Sequence, residues 1–70
     1  MAIKRNMKNN VQKYRVWKNI LQKDLANEVK CSATEIRLIE GNKVTPGGEL
    51  RKRICEYFGV SHNQMFYEED

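Results

Sequence analysis

The 70-residue sequence lacks the features that mark membrane proteins, secreted proteins and most enzymes. No apolar run is long enough to span a bilayer, and the opening residues MAIKRNMKNN carry charge but lack the apolar core of a signal peptide. A glycine-rich phosphate loop, a pair of catalytic carboxylates and a Cys/His dyad are also missing, so nothing indicates an enzyme. These absences predict a cytoplasmic protein without catalytic activity.

Cysteine and histidine are too few and too scattered to predict a metal site. Cys31 and Cys55 fall on apolar positions of their helical patterns, and the single histidine, His62, is not at ligand spacing from either of them. In the cytoplasm, buried free thiols are expected rather than a disulfide. The sequence therefore predicts no metal ion and no other cofactor.

Charge is distributed unevenly along the chain, whose net charge is +4. Residues 1–30 contain eight Lys or Arg and only two acidic residues, whereas residues 61–70 contain three acidic residues and no Lys or Arg. A basic front half and an acidic tail favour a polyanionic partner such as nucleic acid. The alternative is the ordinary solvated surface of a basic protein.

The segment from Gln22 to Glu40, QKDLANEVKCSATEIRLIE, predicts two short helices joined by a tight turn. The first helix is marked by apolar residues at helical spacing: Leu25, Ala26 and Val29. The second begins with a capping box of Ser32 and Glu35. It is stopped by Gly41-Asn42, since both residue types tolerate a left-handed cap.

On a helical wheel, the second of these helices has one apolar side and one mixed side. Ile36 and Ile39 share the side that must be buried. The opposite side presents Ala33, Thr34, Arg37 and Leu38. Arginine can donate two hydrogen bonds to guanine, threonine can donate or accept, and alanine or leucine can contact a thymine methyl group. The pattern is compatible with a helix that reads bases in the major groove and equally with a surface helix that has one exposed leucine.

Three further helices are predicted from capping and helix-breaking residues. The first helix follows Asn9-Asn10 and ends at Asn19. The fourth starts with Thr45 as N-cap and Pro46 at its first position, and it ends at Gly59. The last runs from a capping box of Ser61 and Gln64 to Met65-Phe66. The predicted fold is all-α, with five short helices around one core.

These features resemble the phage Cro and repressor-type helix-turn-helix family, or Xre type, over residues 9–66 without gaps. The residues that carry the resemblance are Gln22, Leu25-Ala26, Ser32, Ile36-Arg37-Leu38-Ile39-Glu40, Gly41-Asn42-Lys43, Pro46, Ile54, Phe58-Gly59-Val60-Ser61 and Met65-Phe66. The resemblance implies a lambda-repressor-like DNA-binding domain at residues 9–66, followed by an acidic tail at 67–70. The basic residues 1–8 are then either a mobile arm that contacts DNA or a frayed terminus.

The resemblance also implies a role for individual side chains. Bases would be contacted by Ala33, Thr34, Arg37 and Leu38, and backbone phosphates by Gln22, Asn42 and Lys43. An ion pair between Arg15 and Glu40 would tie the first helix to the third. The dimer interface would be formed by Met65, Phe66 and Tyr67, although Met65 and Phe66 are alternatively expected to close the chain's own core.

Three residues depart from the family pattern. Leu21 stands where a capping Ser, Thr or Asn is usual, Lys30 where the turn commonly has Gly, and Leu38 where a polar residue is common. A positive φ at Lys30 would cost on the order of 1 kcal/mol. Leu38 favours apolar contact over hydrogen bonding to a base.

Taken together, these features predict a sequence-specific double-stranded DNA-binding transcriptional regulator that acts as a homodimer on a near-palindromic operator. An alternative within the same fold is an antitoxin or control protein, whose main partner is another protein and which autoregulates its own promoter. An alternative of another class is a protein-interaction module that has lost the groove-reading face.

Overall fold

The computed structural model describes the backbone of residues 6–69 and the side chains of residues 8–68. Residues 1–5 of the predicted basic arm and Asp70 of the predicted tail lie outside the described residues. The elements follow in the order β1 (Asn6–Asn9), α1 (Val11–Lys18), α2 (Gln22–Val29), α3 (Ala33–Glu40), α4 (Gly48–Phe58), α5 (His62–Met65) and β2 (Phe66–Glu69). The described chain is mostly helical, as predicted, but it is not all-α.

The strands β1 and β2 form an antiparallel sheet that joins the two ends of the described chain. Lys8 lies opposite Tyr67, and Asn9 lies opposite Phe66. Neither strand is predicted from the sequence, because each is only four residues long and neither alternates apolar with polar residues. Residues 6–8, assigned to the arm, and residues 67–69, assigned to the tail, are therefore paired with each other.

The core draws on all five helices and on β2, and α2 packs against α3 within it. Its buried apolar residues are Val11, Leu25, Ala26, Val29, Ile36, Ile39, Leu50, Ile54, Cys55, Met65 and Phe66. The apolar stripes predicted for α2 and α3 are thus confirmed as their inner faces. Burying Ile36 and Ile39 fixes which side of α3 remains outside.

Most helix ends follow the capping chemistry of the sequence. Asn19, in left-handed backbone (φ 59°), ends α1, and Ser61 and Gln64 form the predicted capping box of α5. At α3 only half of the predicted box is formed. The Ser32 hydroxyl accepts a hydrogen bond from the Glu35 amide (3.1 Å), but within the described part of the chain the Glu35 carboxylate does not return one to Ser32.

One predicted helix boundary is wrong. The helix α4 begins at Gly48 with Gly47 as N-cap, two residues after the predicted first position, Pro46. Glycine loses more backbone entropy in a helix than other residues but is tolerated at the N-cap, so the Gly-Gly pair delays the start. The predicted end of α3 is confirmed, since the helix stops at Glu40. Of the two residues predicted to stop it, Asn42 is left-handed (φ 59°), whereas Gly41 has a φ of −82°.

The turn between α2 and α3 requires a left-handed residue, and Lys30 occupies it with φ 61°. A Cβ in this region costs on the order of 1 kcal/mol relative to glycine. At the other end of α2, Leu21 offers no side-chain cap; instead the Asp24 carboxylate accepts a hydrogen bond from the Leu21 amide (3.4 Å). Lys30 and Leu21 are therefore local costs to stability at the two ends of α2.

Candidate nucleic-acid interface

The outer side of α3 is free to meet another molecule. Ala33, Thr34 and Arg37 are exposed, and Leu38 is half-buried. Within the described residues, neither the Thr34 hydroxyl nor the Arg37 guanidinium forms a hydrogen bond or an ion pair. The predicted base-contacting residues therefore lie together on one side of a helix whose other side is anchored, and their donors are unoccupied.

A network of charged hydrogen bonds fixes the position of α3 relative to α1. The Arg15 Nε donates to Glu40 Oε2 (2.6 Å), and Nη2 donates to Oε1 (3.1 Å), so the two side chains form a bidentate ion pair. Their side chains are 13% and 4% exposed. Because both are largely desolvated and well paired, separating them would be costly. The ion pair thus braces α3 against rotation.

Gln22, the first residue of α2, joins the same network. Its Nε2 donates to Glu40 Oε1 (3.0 Å), so the carboxylate receives hydrogen bonds from two different side chains. An amide nitrogen carries two hydrogens, and the second N–H of Gln22 is left for an outside acceptor such as a phosphate oxygen. The predicted phosphate contact is therefore compatible with the bond to Glu40.

The loop that follows α3 is folded back onto the end of that helix. The backbone amides of Asn42 and Lys43 donate to the carbonyls of Ile39 (3.0 Å) and Leu38 (2.9 Å). The Lys43 side chain is exposed and has no hydrogen-bond or ion-pair partner in the described part of the chain. The predicted phosphate contacts thus all lie near the C-terminal end of α3. The Gln22 side chain is held there by Glu40, and Asn42 and Lys43 are held by their backbone hydrogen bonds.

Sequence reasoning missed a connection that Asn9 makes. Its Nδ2 donates to the Ile39 carbonyl (2.8 Å) and to Asn42 Oδ1 (3.3 Å), although Asn9 was assigned only a capping role. Asn9 does take part in capping, since its Oδ1 accepts from the Val11 amide (3.0 Å). No local pattern could have shown the contact with Asn42, because the two residues are 33 positions apart.

The predicted dimer residues do not share one environment. Met65 and Phe66 are buried in the chain's own core, whereas Tyr67 is 40% exposed. The single turn of α5 returns the chain directly onto the core, and β2 then continues along β1, so alternate residues point inward and outward. Met65 and Phe66 are therefore core residues, and of the three predicted dimer residues Tyr67 alone is exposed.

The two cysteines are free thiols. Cys55 is buried as predicted, but Cys31 is only half-buried because it lies in the turn before α3. Desolvation raises the pKa of both thiols above the ordinary value, and the nearby Glu35 carboxylate raises the pKa of Cys31 further. Both sulfurs are thus protonated at neutral pH. Residues 8–68 contain no cluster of three or more potential metal ligands among His, Cys, Asp and Glu.

The fold and this surface define a small helical domain with a helix-turn-helix formed by α2, the turn at residues 30–32, and α3. The sequence is 38% identical over 64 residues to an uncharacterized HTH-type transcriptional regulator of Methanocaldococcus jannaschii, a match that covers 91% of this chain and 97% of that protein. The chain therefore belongs to the HTH-type transcriptional regulators. No protein-family model matches it. Within the described residues, no helix is long and apolar enough to cross a membrane.

Proposed function

We propose that this chain is a sequence-specific double-stranded DNA-binding transcriptional regulator of the Cro/repressor (Xre) type, acting as a homodimer. The observation that carries the proposal is the outer side of α3, where Thr34 and Arg37 are exposed and have no partner among the described residues, while Ile36 and Ile39 anchor the helix. An α-helix of this kind fits the major groove, where the donor and acceptor pattern distinguishes all four base pairs.

The charges around α3 support binding to a polyanion. The carboxylate of Glu40, which would otherwise repel phosphate, is on a side chain that is only 4% exposed and is paired with Arg15. Lys43 remains exposed at the end of the helix and can approach a phosphate as a point charge. The proposed division of roles follows from this arrangement: Ala33, Thr34, Arg37 and Leu38 read bases, whereas Gln22, Asn42 and Lys43 hold the backbone.

The division of roles is tested by comparing Arg37→Ala with Lys43→Ala. On a duplex selected in vitro from a random library, Arg37→Ala should weaken binding by ~1–3 kcal/mol, with little change on random DNA, because a bidentate contact to guanine is lost. Lys43→Ala should weaken both complexes about equally and reduce the slope of log K against log salt by roughly 0.9. Fluorescence anisotropy over a salt series measures both effects.

Lys52→Ala is the matched control for these variants, because Lys52 is an exposed cation on α4 outside the proposed surface. It should leave the affinity for the selected duplex nearly unchanged. Equal losses on selected and random DNA for Arg37→Ala would assign Arg37 to the backbone instead of the bases. A wild-type protein that binds no duplex in preference to another would refute the proposed function.

A dimer is proposed because one recognition helix reads few base pairs, and two helices about one DNA turn apart give useful specificity. Tyr67 is its proposed contact residue, and a two-fold interface would use the patch around it on both subunits. We expect a weak dimer in sedimentation equilibrium, and a full operator bound much more tightly than a half-site because the subunits are then held together.

Tyr67→Ala should shift the sedimentation profile toward monomer. Val44→Ala serves as the control, since Val44 and Tyr67 are exposed to a similar extent (43% and 40%) and Val44 lies outside the sheet of β1 and β2. A wild-type chain that remains monomeric at high micromolar concentration, and binds half-site and full operator equally, would rule out the dimer.

The second candidate is an antitoxin or control protein with a protein partner, and an exposed apolar surface favours it. Three large apolar side chains near the start of α2 and the end of α1 are between 58% and 69% exposed: Val16, Trp17 and Leu21. Exposed apolar side chains that form a patch commonly mark a surface that binds another protein. Tryptophan is one of the residue types that most often anchor protein interfaces, so Trp17 is the main candidate contact. A pull-down from the host, run beside a gel shift on the DNA upstream of the chain's own gene, distinguishes a dedicated partner from DNA binding alone.

A further inference from the structure

The side chain of Asn9 connects three parts of the molecule. Asn9 is the last residue of β1, its Oδ1 accepts from the Val11 amide at the start of α1, and its Nδ2 donates to the Ile39 carbonyl near the end of α3. A second bond from Nδ2 reaches Asn42 Oδ1 in the loop after α3. The carboxamide of Asn9 therefore has both of its N–H donors and its oxygen engaged.

The chemistry of these partners fixes which way the Asn9 carboxamide faces. A backbone N–H can only donate and a backbone carbonyl can only accept, so the oxygen of Asn9 must face Val11 and its NH2 group must face Ile39. The second N–H then points at Asn42, which has to present its own oxygen. This assignment follows from satisfying each group and does not depend on telling O from N by position.

The same constraint determines what Asn42 offers to its surroundings. Its oxygen is engaged by Asn9, so its NH2 group lies at an exposed position without a bond to any other described residue. A phosphate oxygen only accepts hydrogen bonds, and a carboxamide can therefore bind phosphate only through its nitrogen. Without Asn9, the Asn42 side chain would be free to present either end.

We propose that Asn9 is a positioning residue for DNA binding: it turns the Asn42 carboxamide so that its N–H donors face the phosphate backbone. This inference rests on the proposed function, because it concerns the same surface. Gln22 is oriented by the same logic, since the Glu40 carboxylate only accepts and so holds the nitrogen end of the Gln22 amide. The two amides flanking the end of α3 would thus present donors to phosphate without carrying charge.

The test is a double-mutant cycle in which Asn9→Asp reverses the Asn42 amide. An aspartate at position 9 can still accept from the Val11 amide, but it has no donor and would draw the Asn42 nitrogen inward. We expect Asn9→Asp and Asn42→Ala each to weaken binding roughly tenfold on both selected and random duplexes, the scale of one hydrogen bond to a charged group. The salt slope should not change with Asn42→Ala, because a neutral amide displaces no counterion.

Asn10→Asp is the control for the added negative charge. Asn10 is the neighbouring residue, and its Nδ2 donates to the Gln64 carbonyl (2.9 Å), so the change removes a similar bond directed at α5 instead of the loop. In the wild-type background, Asn9→Asp should weaken binding several-fold more than Asn10→Asp. In the Asn42→Ala background, the two should be equal, since the amide on which Asn9 acts is gone.

A second variant covers the case in which Asn9→Asp does not fold. Asn9→Ser keeps an oxygen that can accept from the Val11 amide, but serine has a single donor on a shorter side chain and cannot bond both Ile39 and Asn42. The variant should weaken binding roughly threefold, which is the scale of ordering one freed side chain on binding. This loss should vanish in the Asn42→Ala background. In addition, nitrogen-15 NMR of the wild type should show DNA shifting the side-chain NH2 signals of Asn42.

Several outcomes would overturn the inference. The first is a loss of DNA affinity from Asn9→Asp or Asn9→Ser that is equally large in the Asn42→Ala background. The second is unchanged DNA affinity in both Asn9 variants. The third is that DNA does not shift the NH2 signals of Asn42. In each of these cases the wild type still binds its selected duplex, so the proposed function stands. A wild type that binds no duplex selectively would instead refute the proposed function and this inference with it.

Discussion

Glu40→Ala is expected to destabilise the fold by about 3 kcal/mol, because it leaves the Arg15 guanidinium largely desolvated and without its anion. The two side chains are 13% and 4% exposed and are joined by two hydrogen bonds. A loss of this size is a large share of the stability of a small domain. Urea unfolding followed by circular dichroism at pH 7 measures it.

The chain supplies a matched control for this substitution. Glu49 also pairs with an arginine, Arg53, at 3.0 Å, but Glu49 is 85% exposed and the pair lies along one helix at i, i+4 spacing. Glu49→Ala should therefore cost no more than about 0.5 kcal/mol. Similar costs for Glu40→Ala and Glu49→Ala would mean that burial adds nothing to the Arg15 pair and that α3 is held by its apolar side alone.

Phe66→Ala is expected to destabilise the monomer by ~3–5 kcal/mol, because it leaves a cavity in a well-packed core. The ring is 2% exposed within a single chain, so no partner is needed to bury it. The loss should be independent of protein concentration. Unfolding by urea at two concentrations a hundredfold apart measures both its size and its concentration dependence.

Tyr67→Ala provides the comparison one residue further along β2, where the side chain is partly exposed. Removing a ring of this kind should change the monomer's stability by less than about 1 kcal/mol. If Phe66→Ala instead leaves the monomer intact and lowers stability only at concentrations where dimers form, the assignment of Phe66 to the monomer core is wrong. The two neighbouring aromatic residues thus separate core packing from self-association.

The parts of the fold that the sequence predicted are those specified by local signals. The apolar period identified Ile36 and Ile39 as the inner face of α3, and hydroxyl and left-handed caps such as Ser61 and Asn19 located the ends of helices. These signals lie within a few residues of the structure that they specify. The outer side of α3 could be selected in the same way, since it is what remains once the inner side is assigned.

The parts that could not be predicted depend on contacts between distant segments. β1 (NMKN) has weak strand propensity, and in β2 (FYEE) only the first two residues favour a strand, so the sheet depends on the pairing of the two segments. The bond from Asn9 to Asn42 likewise needs the end of β1 to lie beside the end of α3. The late start of α4 has a different cause, because Thr45-Pro46 and Gly47-Gly48 give competing local signals and the glycines prevail.

Most of the conformational entropy lost on closing the chain is lost when β1 pairs with β2. α2 and α3 are adjacent in sequence and need only a short turn between them, whereas β1 pairs with β2 across almost the whole described chain. The entropy lost on closing a loop grows with its length, and contacts of such long range slow folding. Since β1 and β2 hold each other, a perturbation that releases either strand also releases Asn9 from its place beside the loop after α3.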